Sequence, residues 1–147
     1  RNGWDTSASI NVWSKPYNWW GVNNRKWKLM VKQLVKTDLD LKELLNCIER
    51  LDNHLDMAVV EWIVTMREGL RQKQQHANCI YTLKYEDLVQ EPERFITELL
   101  EFCELRNDKA FLNYAKSELR PIPKKASFDI HPLLRPLFEQ TMKQIGY

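Results

Sequence analysis

Long apolar runs are missing from this 147-residue sequence. Nowhere does it approach the roughly 18 consecutive apolar residues of a membrane span, and no basic, then apolar, then small-residue order marks a secretory signal. Cysteine is scarce: Cys47, Cys79 and Cys103 are odd in number, widely spaced and set in apolar runs. That pattern fits reduced, buried thiols rather than a disulfide framework and points to a reducing, cytoplasmic compartment. No asparagine is followed two residues later by Ser or Thr, so the sequence offers no glycosylation acceptor. Charge imbalance is small too, with 22 Lys and Arg against 20 Asp and Glu for a net +2. This excludes a broad nucleic-acid footprint, so an anion site has to be local. His54, His76 and His131 stand apart and lack Cys or carboxylate neighbours at ligand spacing, which argues against a metal. There is no internal repeat, no low-complexity stretch and no G-x-x-x-x-G-K-[ST] phosphate loop.

What remains, 44% hydrophobic and 11% aromatic, suits one globular domain over residues 1–147. Asp5 to about Val12 can form a helix, ended by Lys15-Pro16. WSKPYNWWGVNNRKW then reads as an irregular aromatic loop, and a helix face returns from Trp27 through Val35 to Thr37. Asp40 with Glu43 resembles a capping box ahead of Leu41, Leu44, Leu45, Ile48 and Leu51. A longer helix follows, its apolar positions running from Leu55 through Val59, Trp62, Ile63 and Met66 to Leu70. CIYTLKY, residues 79–85, alternates with a period of two and is rich in β-formers, so it predicts the one clear strand. Pro92 suits a first helical position before Phe95, Ile96, Leu99, Leu100 and Cys103. Pro132 opens a closing helix that Gly146 ends.

Two stretches carry chemistry. In RNGWDTSAS, the Arg1 guanidinium presents a planar fork to a phosphate, the helix start after Asn2-Gly3 offers free N–H groups, and Ser9 adds a hydroxyl. The same residues also describe a frayed terminus with an exposed arginine. In YEDL, Tyr85 would close the strand and Asp87 would cap a turn, which is equally plain architecture.

Together, RNGWDTSAS and LKYEDLVQEPERFITELLEFCEL resemble the sulfotransferase family that uses 3′-phosphoadenosine 5′-phosphosulfate, PAPS. There an R-[DN]-x-x-[DA]-x-x-x-S stretch precedes a strand ending in YEDL and a helix closing in FCxL or a similar run. The terminal HPLLRPLFEQTMKQIGY is similar to the family's closing helix. The resemblance implies an α/β, P-loop-kinase-like fold, of which this chain is a mostly helical C-terminal portion with about one clear strand. It implies Arg1 and Ser9 on the donor's 3′-phosphate and Tyr85 against the adenine. Lys124 and Lys125 in PIPKKAS are the nearest counterpart to the basic element that closes over the donor, and two solvated lysines would look the same. The family's 5′-phosphosulfate loop and catalytic base lie ahead of that arginine, so the expected partner is an N-terminal part of the same enzyme and the catalytic residues are not assigned. No metal is required.

The loop bearing Trp13, Trp19 and Trp20 lies where the family covers its acceptor, so these three are expected to bind it, whether carbohydrate, lipid or small molecule. Burial in the core is the equal alternative. The implied reaction is sulfuryl transfer from PAPS to a hydroxyl or amine, releasing adenosine 3′,5′-bisphosphate (PAP). The competing readings are a non-enzymatic helical interaction domain and a fragment of a nucleotide kinase.

Overall fold

A computed structural model describes residues 1–123 and 127–147, so Lys124 and Lys125 lie outside the described residues. Among the described residues the regular elements are α-helices and short 3-10 turns. Contacts divide the chain into two compact units, one comprising Asn2–Gln72 with Lys125–Tyr147, the other Arg1 with Lys73–Lys124.

The larger unit is organised on α5 (His54–Gln75), whose first half is mostly apolar and buried on nearly every side. Met57 to Val60 and Trp62 to Val64 are all buried there, as expected of a helix enclosed by its neighbours. Around it lie α1 (Gly3–Ser14), α2 (Arg25–Gln33), α3 (Leu39–Glu43), α4 (Leu45–Ile48) and, near the C-terminus, α9 (Arg135–Gln144). The α1 face that packs is small rather than apolar, made of Gly3, Ser7, Ile10 and Ser14. Small side chains let the backbone come close: a Cβ on Gly3 would stand 2.6 Å from the Phe138 ring. Trp4 fills the adjoining space edge-on to Phe128 and Phe138, at centroid distances of 4.9 and 4.8 Å.

Leu39–Glu43 begins differently from the sequence expectation. Asp38, not Asp40, is the cap, its carboxylate accepting from Leu41 N at 3.1 Å. Asp38 has the extended backbone a cap needs, whereas Asp40 already lies inside the helix and turns to Arg67. The expected Leu41–Leu51 helix is accordingly two short ones, α3 and α4, broken at Leu44.

The smaller unit packs α6 (Tyr85–Gln90), α7 (Pro92–Phe102) and α8 (Lys109–Glu118) around Ile96, Leu100 and Leu112. Pro92 does open α7. The strand expected over residues 79–85 is not formed. Ile80 and Lys84 are extended, with φ/ψ of −128/108 and −83/134. However, the backbone of residues 80–83 makes no hydrogen bond among the described residues, and Tyr85 is the first residue of α6 rather than the last of a strand. β-formers extended this segment, but extension becomes a strand only beside a partner. The thiols also depart from expectation: Cys79 and Cys103 are exposed, and only Cys47 is partly covered. Cys103 falls just past the end of α7, outside its packed face.

Among the described residues no helix is long and apolar enough to cross a membrane, and no group of three or more His, Cys, Asp and Glu could hold a metal ion.

Candidate functional site

The start of α1 follows from Asn2. Its backbone is extended and its side-chain oxygen accepts from Asp5 N at 2.9 Å, while Thr6 Oγ1 donates to the Asn2 carbonyl at 2.8 Å. Gly3 N points at Met142 Sδ, 3.1 Å away. Two first-turn amides are thereby engaged, and the Asp5 carboxylate sits buried at the positive end of the helix dipole. Within the α1 unit the remaining donors near this helix start are the amide of Trp4 and the hydroxyl of Ser9. Ser9 stands four residues past Asp5 and so shares its helix face, and both Arg1 and Ser9 are partly accessible. By contact grouping Arg1 falls with the Lys73–Lys124 unit, as does Tyr85, whereas Ser9 belongs to the other.

Tyr85 is half-buried, and its hydroxyl donates to the Arg120 carbonyl at 2.9 Å. That bond fixes the orientation of the ring. Four residues earlier, Tyr81 donates to Glu98 Oε2 at 2.8 Å and tilts against Phe102 with centroids 5.4 Å apart. Burial, and then the bond to the Glu98 carboxylate, raise the Tyr81 phenol. The same hydrogen bond, with one from Arg94, holds the Glu98 carboxyl below its ordinary range.

The three tryptophans divide between the two expectations. Trp20 is core: it is 1% exposed and packs edge-on to Trp27 at 5.7 Å. Trp13 and Trp19 are 45% and 37% exposed, and Trp13 meets the exposed Tyr17 edge-on at 4.6 Å. The loop that carries them turns on Asn18, Gly21, Asn23 and Asn24, all at positive φ, where glycine and asparagine are the tolerated residues.

Trp19 is clamped by Lys26 from its own stretch and by Glu61 from α5. Its indole N–H donates to Glu61 Oε2 at 2.7 Å, and Lys26, 3.9 Å over the ring, pairs with Glu61 Oε1 at 2.5 Å. Lys26 lies in the quoted aromatic stretch, but Glu61 sits inside the apolar run of α5, and only an isolated acid among buried positions hints at a partner. The ring is held on one side by a cation and at its edge by a carboxylate, which leaves an ordered aromatic surface.

Comparison with known proteins adds one finding. A family model described as the sulfotransferase domain matches residues 14–131. Neither the curated proteins nor the solved structures contain a match to the chain. The matched region takes in the aromatic loop from Ser14 onward, α5 and the YEDL segment, and begins after Arg1, Ser9 and Trp13. It spans well over half of the sequence, and the chain belongs to the sulfotransferase family.

Proposed function

We propose that this chain supplies the 3′-phosphate and adenine side of the donor site of a PAPS-dependent sulfotransferase. The family match over residues 14–131 is the observation that carries the reading. In the reaction, an acceptor oxygen or nitrogen forms a bond to sulfur as the bond from sulfur to the phosphate oxygen of PAPS breaks, and PAP leaves. The acceptor's proton passes to a base that these residues do not identify. On the family's pattern, the Arg1 fork and the Ser9 hydroxyl bind the 3′-phosphate, and the tethered ring of Tyr85 lies against adenine. Contacts so far from sulfur serve to orient the sulfuryl group for in-line attack. Trp13 and the clamped Trp19 are proposed as acceptor contacts.

The backbone of residues 80–83, extended at Ile80 and without a hydrogen bond among the described residues, supports a further part of this reading. We infer that it is a sheet strand of an α/β fold whose pairing is supplied by another part of the enzyme, this chain being the C-terminal portion.

Calorimetry with PAP tests the donor assignment. The folded chain is expected to bind PAP, and Arg1→Ala is expected to weaken binding about tenfold or more, the worth of a charge-assisted pair to phosphate. A folded chain that takes up no PAP overturns the assignment.

A further inference from the structure

Between Asp5 and Asp38 the sequence places six Lys and Arg and no Asp or Glu, an uneven stretch in a chain of net charge +2. The fold gathers three of these cations along one groove. About 510 Å³ in volume, it runs between α2 and the turn after α4. Lys28 and Lys32, four residues apart and so on one helix face, form its rim, and Lys36 continues the row beyond the end of α2. The buried Trp27 and Val31 lie beneath, and the half-buried Leu51 lines the other side. Glu49, also on that side, reaches Lys36 at 3.6 Å. The ammonium groups of Lys28 and Lys32 have no ion pair among the described residues.

We propose that this groove docks an extended acidic segment of a partner protein, one with carboxylates at alternate residues and apolar side chains between them. Four residues of helix advance about 6 Å, and two residues of an extended chain advance about 6.7 Å, so successive carboxylates come into register with successive lysines. Glu49 supplies the pattern within the chain itself. Its carboxylate stands at the third lysine, leaving Lys28 and Lys32 for the partner. The apolar floor selects the class of occupant. Phosphodiester chains and anionic glycans carry repeated charge but nothing apolar to set on Val31 and Leu51, and Trp27 is too deeply buried to stack a base. A flat membrane surface does not enter a groove. Lysine offers a point charge rather than the fork of arginine, so the contact is electrostatically steered and salt-sensitive. The groove belongs to α2 and the turn after α4 and does not depend on the donor-site reading.

Glu49 also separates register from bulk charge. Lys28, Lys32 and Glu49 are all exposed, so each can be changed without disturbing the core. Glu49→Gln frees Lys36, the third place in the row. A peptide with three alternating glutamates should therefore gain more from that change than a peptide with two.

The test is fluorescence anisotropy of labelled, end-capped peptides that alternate glutamate and leucine, titrated with the full chain at low salt. The two-glutamate peptide is expected to bind with a Kd of about 100 μM. Binding should weaken about fivefold or more in the double variant Lys28→Ala, Lys32→Ala, and again in about 0.15 M salt. Glu49→Gln is expected to tighten the three-glutamate peptide about twofold or more, and the two-glutamate peptide less. A peptide of the same composition with its glutamates side by side should bind about threefold more weakly, because its carboxylates miss the lysine spacing. Absence of binding by the folded chain, binding indifferent to Lys28 and Lys32, or a side-by-side peptide that binds equally well overturns the proposal. So does an oligonucleotide or an anionic vesicle that engages the same lysines as tightly as the peptide.

Discussion

Arg67 and Asp38 are joined by a 2.6 Å hydrogen bond from Nε to Oδ2, and the other oxygen of the same carboxylate caps α3 at Leu41 N. One guanidinium on α5 therefore holds the start of a five-residue helix, reaching Asp40 through Nη2 as well. Burial works against the charge on Arg67, but the two aspartates outweigh it and raise its pKa further. Both side chains of the Arg67–Asp38 pair are largely covered, at 17% and 15% exposure, so the pair counts for more than a surface bridge. Arg67→Met is expected to destabilise the protein by about 2 kcal/mol in urea titrations, with Asp38 left largely covered and short of a partner. In a double-mutant cycle with Asp38→Ala, a coupling energy near zero would show that the contact carries no stability.

Two glycines in helices should respond to alanine with opposite signs. Gly3→Ala drives a methyl to within 2.6 Å of Phe138, a ring with no exposed surface into which to retreat. Gly69, in the exposed second half of α5, has nothing within 4 Å of the added atom. We expect Gly3→Ala to cost roughly 1–3 kcal/mol and Gly69→Ala to gain about 0.5–1 kcal/mol. Thermal or urea unfolding of the two variants side by side measures the contrast, and a neutral Gly3→Ala would mean that α1 and Phe138 are not so closely packed.

Ser7 supplies a substitution on the same helix face that should stabilise. It is fully buried, and its hydroxyl has no hydrogen-bond partner among the described residues. Ser7→Ala removes an unsatisfied polar atom and raises helix propensity at nearly unchanged volume. The expected gain is about 1 kcal/mol, read as a higher urea midpoint at unchanged slope. A loss of stability would point to an ordered water bonded to the hydroxyl.

The long and strongly periodic helices were legible in the sequence, because burial of one face writes itself into the spacing. Leu55 to Leu70 announced α5, and Pro92 with Phe95, Ile96, Leu99 and Leu100 announced α7. What failed was decided by partners far away in the chain. Asp38 and Asp40 are both fit to cap a helix, and the choice rests on Arg67, 29 residues beyond Asp38. CIYTLKY has the composition of a strand, but strand pairing is not a property of the segment itself. The α1 face of Gly3, Ser7 and Ser14 has no apolar signature, since it packs through smallness. The tryptophans shared one loop and one composition, and only the fold could send Trp20 inward while Glu61 and Lys26 held Trp19 at the surface.

The Trp19 clamp can be opened by one change. Glu61→Leu removes the acceptor of the indole N–H and the partner of Lys26 together. The Trp19 indole N–H resonance, assigned through Trp19→Phe, is expected to move upfield, as for a proton released to solvent. The buried Trp20 indole, which has no hydrogen-bond partner among the described residues, should stay in place. Loss of stability should be near 1 kcal/mol, since part of the network is already wet. An unmoved Trp19 resonance would show that the carboxylate does not hold the ring in solution.

Glu68 gives a pH prediction with a definite sign. Hydrogen bonds from Arg71, then Gln72, to its carboxylate lower its pKa from 4.5 to about 2. The Arg71 contacts are 2.8 Å from Nε and 2.6 Å from Nη2, a two-point grip one turn apart on α5. A carboxyl depressed in the folded state binds its proton more readily when unfolded. Its contribution to stability is therefore complete above the unfolded value of 4.5 and is lost as pH falls toward about 2. Both side chains are about a third exposed or more, at 34% for Glu68 and 52% for Arg71, so solvent screens the pair and the stability increment is small. The titration is the sharper readout. Carboxyl-carbon NMR should place the Glu68 midpoint well below those of the other glutamates, and Arg71→Met should return it most of the way to the ordinary value. Gln72 accounts for the remainder, because its amide still donates to Oε1 at 2.7 Å. A wild-type Glu68 that titrates at the ordinary value would show that the Arg71 grip does not persist in solution.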